Sequence, residues 1–82
     1  MNDDQVLGMI KVALTKVAPS RKEEFDEIEL SDTIEDLALD SIATMEMVGE
    51  LEDNTGKTFP DEELAKVNTV QDLANLVKNG RL

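Results

Sequence analysis

Ser41 is the residue around which a chemistry can be built. It follows Asp40, and both are residue types that start helices. A hydroxyl at a helix mouth sits beside unpaired N–H groups and the positive end of the helix dipole. That setting favours an attached phosphate. The plain alternative is that Asp40-Ser41 is an ordinary helix cap, which is common. Ser41 is not a self-sufficient nucleophile, because the chain has no histidine to act as its base. Nothing in the spacing supports activation by Lys57. Gly56-Lys57-Thr58 resembles the tail of a phosphate-binding loop, but that pattern needs glycine five residues earlier and Leu51 stands there. The acidic runs do not match calcium-loop spacing. Without cysteine there are neither disulfides nor thiolate metal sites, so no metal ligand set is assigned.

The segments that must position Ser41 can be read from apolar spacing. A first helix is expected over 4–17, with Val6, Leu7, Ile10, Leu14 and Val17 as its inward stripe, and Met9 and Ala13 beside it. Asp3, Asp4 and Lys16 suit its dipole, Pro19 stops it, and Gly8 lowers its propensity for no evident reason. Residues 18–40 form a long connection. Ser20 and Glu23 have capping-box spacing and predict a helical turn leading to Phe25. Phe25, Ile28, Leu30, Ile34, Leu37 and Leu39 peg this stretch as an ordered loop over the bundle. A central helix follows over 41–54, ended by Gly56. Pro60 opens a short acidic helix to about residue 66, and Asn68-Thr69 offers a cap for a last helix over 70–78. Gly80 closes that helix, and Arg81-Leu82 is expected to fray.

At 100° per residue the central helix sorts into two faces. Thr44, Met47, Val48 and Leu51 form a core side. Ile42, Met45, Glu46, Gly49, Glu52 and Asp53 share the other side, where two large apolar side chains sit among acids. Exposed apolar groups rimmed by charge mark a contact surface. The alternative places Ile42 and Met45 in the core, with the helix phase shifted.

Composition narrows the partners. The net charge is −11, and residues 40–64 hold eight acids and one base. This excludes nucleic acid and anionic membrane surfaces and favours basic protein partners. Eighty-two residues make one domain, 1–82, with a small core. Leu, Ile, Val and Met dominate that core, which suits packed helices and an all-α fold. No apolar run is long enough to span a membrane, and the acidic start lacks the basic residues of a signal peptide. A soluble, cytoplasmic protein is expected.

The ordered set of motifs resembles the acyl carrier proteins. Asp40-Ser41-Ile42 through Val48, then Leu51-Glu52, is similar to that family's attachment motif at the start of an acidic helix. Glu35-Asp36-Leu37 upstream, Phe59-Pro60-Asp61-Glu62-Glu63, and Val67-Asn68-Thr69-Val70-Gln71-Asp72-Leu73 continue the likeness over roughly residues 31–77. The resemblance implies a four-helix bundle with three longer helices and one short one, a long ordered loop between the first two, and an apolar cleft for an acyl chain. It implies a monomeric carrier that is not an enzyme. Ser41 would bear a covalent 4′-phosphopantetheine arm, placed by a phosphopantetheinyl transferase and holding acyl groups as thioesters. Asp40, Glu46, Glu52 and Asp53, with Ile42, Met45 and Gly49, would meet basic docking patches on acyltransferases and ketosynthases of fatty-acid, polyketide or related synthesis.

Four positions depart from the family pattern. Ala38 and Ile42 replace a usual glycine and leucine, Ala43 a frequent acid, and Gly49 a larger apolar residue. They point to a specialised partner set. Two other functions fit the same residues: an aminoacyl or peptidyl carrier, disfavoured by the acidity around the helix, and an acidic helical adaptor in which Ser41 is only a cap.

Overall fold

A computed structural model describes residues 2–80. Among the described residues five helices follow one another: α1 (Asp3–Val17), α2 (Lys22–Asp26), α3 (Ser41–Thr55), α4 (Asp61–Leu64) and α5 (Val70–Asn79). Short 3-10 turns cover Pro19–Arg21 and Glu35–Leu37. The fold is the expected all-α bundle, with α1, α3 and α5 long and α4 short. Helix α1 packs against both α3 and α5. Val6, Ile10 and Leu14 of α1, Met47 and Leu51 of α3, and Leu73, Leu76 and Val77 of α5 are buried together. Phe25, Leu37 and Phe59 close the core from the connections.

Local chemistry sets the helix ends. Helix α1 starts one residue before the expected position, because Asn2 and Gln5 form a reciprocal capping box. Thr69 and Asp72 do the same for α5. Gly56 and Gly80 end α3 and α5 in the left-handed region, at φ 69° and 75°. Two expectations are corrected. Ser20 does not cap a helix: it lies inside the 3-10 turn, and neither that turn nor α2 has a side-chain cap. The short acidic helix ends at Leu64, and separate turn hydrogen bonds carry the chain to Val67. Arg81 and Leu82 lie outside the described residues.

The connection over residues 18–40 is ordered, as its apolar pegs require. Phe25, Ile28 and Leu37 are buried, and Leu30, Ile34 and Leu39 pack partly against the core. Backbone bonds stitch its middle to the start of α5: Val70 N–H donates to Asp32, Gln71 N–H to Leu30, and Ile34 N–H to Asn68. The last turn then ends at Ala38, whose φ of 53° and ψ of 47° put a non-glycine residue in the left-handed region.

Candidate functional site

Ser41 is exposed and is the first residue of α3. The capping work falls on Asp40. One carboxylate oxygen of Asp40 accepts the Ala43 N–H at 2.7 Å. The Asp40 carbonyl accepts both the Thr44 N–H at 3.0 Å and the Thr44 hydroxyl at 2.9 Å. Helix geometry leaves the N–H groups of Ser41 and Ile42 without intrahelical acceptors. Ser41 therefore combines an accessible hydroxyl, free first-turn donors and the positive end of a fifteen-residue helix. These features fit an esterified phosphate at its oxygen.

Ser41 also lies at the rim of a cleft of about 570 Å³ between α3, α4 and the start of α5. Leu39, Met47, Val48, Phe59, Leu64 and Leu73 supply much of its apolar lining. An arm anchored at Ser41 can thus turn either outward or toward an apolar interior.

The outer side of α3 follows the expected phase. Ile42 is 70% exposed and Met45 is 74% exposed, so neither belongs to the core. Glu46 and Asp53 are exposed, and Gly49 is half-buried. Glu46, Gly49, Glu50 and Asp53 line a depression that also meets Lys16 and Val17. Lys16 pairs with Glu50 at 3.3 Å. Glu52 departs from this group. Its Oε2 accepts the Phe59 N–H at 2.7 Å, so its carboxylate holds the loop after α3 and its side chain lines the cleft.

Two basic residues act where the sequence pattern carried no sign of them. Lys57 is committed elsewhere than Ser41: its Nζ donates to the carbonyls of Val77 and Lys78 at 3.1 and 3.0 Å, capping the C-terminus of α5. Arg21 reaches the loop before Ser41, donating to the carbonyls of Leu37 and Ala38 at 2.7 and 3.3 Å. Both contacts span many residues, so only the folded chain reveals them.

Two carboxyl groups titrate below their ordinary range. The N–H groups of Thr69 and Asn68 hold Asp72 down as it closes the α5 cap. A hydrogen bond from Lys78 does the same for Asp3 at the start of α1. Both are features of helix ends, and neither lies among the candidate site residues.

The chain matches known proteins over this same region. A family described as "Phosphopantetheine attachment site" matches residues 14–77. The chain is 32% identical over 78 residues to an acyl carrier protein of Chloroherpeton thalassium, covering 94% of each chain. It is 35% identical over 63 residues to an acyl carrier protein of Rickettsia bellii strain RML369-C, covering 76% of this chain and 73% of that one. An acyl carrier protein homolog of Ureaplasma parvum serovar 3 is 32% identical over 66 residues, or 80% of this chain and 86% of that one. No solved structure matches. The chain belongs to the acyl carrier protein family, whose members are carriers of a phosphopantetheine group rather than catalysts.

Proposed function

We propose that Ser41 is the attachment residue and that the chain carries acyl intermediates as thioesters to enzymes of fatty-acid, polyketide or related synthesis. The observation that carries this reading is the division of labour at the start of α3. Asp40 makes the cap, and the adjacent hydroxyl is left exposed. In the adaptor alternative Ser41 is only a cap, and Asp40 already fills that role.

Attachment requires a phosphopantetheinyl transferase and coenzyme A. The Ser41 oxygen forms a bond to the pantetheine-side phosphorus of the coenzyme A diphosphate. The bond from that phosphorus to the bridging oxygen breaks, 3′,5′-adenosine bisphosphate leaves with the electron pair, and the serine proton passes to a base of the transferase. The chain's own part is to present the oxygen and to offset the charge of the new phosphodiester with the first-turn N–H groups. The arm's terminal thiol supplies the thioester chemistry. The apolar cleft beside Ser41 supplies shelter for an attached acyl chain.

Partner enzymes dock on the outer face of α3 in this account. Asp40, Glu46 and Asp53 steer basic surfaces, Ile42 and Met45 supply apolar contact, and Gly49 leaves a depression beside them. Glu52 serves this face indirectly, by fixing the loop to Phe59. The protein works as a cytoplasmic monomer and one carrier domain. Among the described residues, no helix is long and apolar enough to cross a membrane.

The test is loading by a broad-specificity transferase with coenzyme A, read by intact mass. The wild type gains one phosphopantetheine and Ser41→Ala gains none. Equal gain by both proteins would overturn the site assignment.

A further inference from the structure

We infer that Arg21 is a positioning residue for the loading reaction: its guanidinium clamps the left-handed corner at Ala38 and so sets where Ser41 is presented. This role rests on the carrier reading above. Four contacts fix the guanidinium. Nη2 donates to the Leu37 carbonyl at 2.7 Å and Nη1 to the Ala38 carbonyl at 3.3 Å. Nε pairs with Glu24 at 2.6 Å, and the group lies 4.9 Å from the centre of the Phe25 ring. Phe25 is itself buried, so the clamp stands on the core.

The corner needs such a clamp. Ala38 is the only described non-glycine residue with positive φ, a conformation that its Cβ disfavours. Two residues later Asp40 must arrive extended, at φ −78° and ψ 175°, to cap α3. The backbone bonds to α5 fix the connection upstream of the corner, and the Asp40 cap fixes it downstream. Arg21 holds two consecutive carbonyls between those anchors. Its planar fork does this while Nε pairs with Glu24 and the guanidinium lies over Phe25, a set of four contacts that the single Nζ of a lysine does not reproduce.

Among the described residues the guanidinium's contacts are to Glu24, Phe25, Leu37 and Ala38. None is to Ile42, Met45, Glu46 or Asp53 on the outer face of α3, so docking by those four and presentation of Ser41 separate in kinetics. In transferase assays Arg21→Ala is expected to lower kcat for loading about tenfold while KM stays within about twofold. Arg21→Lys keeps the charge and is expected to lose kcat similarly; it also carries the test if Arg21→Ala does not fold. Adding Ala38→Gly to either variant is expected to restore most of the rate, because glycine enters the left-handed corner without the Cβ penalty that the clamp offsets.

Wild-type kcat in a folded Arg21→Lys protein would overturn the clamp while leaving Ser41 as the attachment residue. So would a loss confined to KM, or a loss that Ala38→Gly does not repair. A wild type that gains no mass would instead overturn the carrier reading, and this role with it.

Discussion

Replacing Ala38 with glycine should stabilise the protein slightly, and the size of the effect follows from one backbone angle. At φ 53° and ψ 47° the alanine Cβ crowds its own carbonyl. The left-handed region costs an L-residue about 1–2 kcal/mol, a cost glycine escapes. Glycine also loosens the unfolded chain, which returns about 0.4–1 kcal/mol. The net expectation is a gain of about 0.5 kcal/mol. For a domain of this size that raises Tm by roughly 2–4 °C. Far-UV circular dichroism in a urea series would read it as a higher midpoint with an unchanged slope. A variant less stable than wild type by more than about 0.5 kcal/mol would refute the reasoning, since it would mean that Ala38 sits in an ordinary backbone region.

Other changes test other parts of the structure. Gly8 lies inside α1 and nothing stands within 4 Å of where a Cβ would be, so Gly8→Ala should raise stability by about 0.5–1 kcal/mol in the same urea assay. Lys57→Met keeps most of the stem but removes the donors to Val77 and Lys78, and should cost about 1 kcal/mol. Asp72→Ala removes the acceptor for the Asn68 and Thr69 N–H groups, breaks the α5 capping box and should cost about 1 kcal/mol at neutral pH. The folded Asp72 carboxyl titrates below its unfolded range, so its charged form stabilises the fold above about pH 4 and loses that effect as pH falls through the depressed value. Thermal melts of wild type and Asp72→Ala across that window should converge on acidification.

The three long helices were legible because their apolar residues recur at helical spacing and most of their ends carry a stop or cap residue: Pro19 after α1, Asp40 and Gly56 around α3, Thr69 and Gly80 around α5. The two faces of α3 were legible for the same reason: Met47 and Leu51 are buried, while Ile42 and Met45 are exposed. Motifs that look alike in sequence parted in the fold. Asn2 and Gln5 form a capping box, whereas Ser20 and Glu23 share the spacing and do not. Pro19 opens a 3-10 turn that places Ser20 inside it, so the serine cannot stand before a helix in an extended conformation. Glu52 shows the limit of periodicity. Its angle on the helix groups it with the outer face, but the backbone of Phe59, seven residues on, captures its carboxylate. The contacts of Arg21 and Lys57 join segments about twenty residues apart, and no local pattern encodes them. Ala38 did carry a signal, since the resemblance of the surrounding motif to the carrier family implies glycine at that position. Its consequence, a left-handed corner just before the serine, needed the backbone to be seen.

The central claim is that one hydroxyl, at the first residue of α3, bears the arm. The chain offers a built-in control, because Ser20 and Ser31 are also exposed. Proteolytic digestion of the loaded wild-type protein, followed by peptide mass mapping, reads the three serines side by side. Phosphopantetheine on the peptide containing Ser41, with those of Ser20 and Ser31 unmodified, is the predicted result. The group on either of the other two peptides would contradict it.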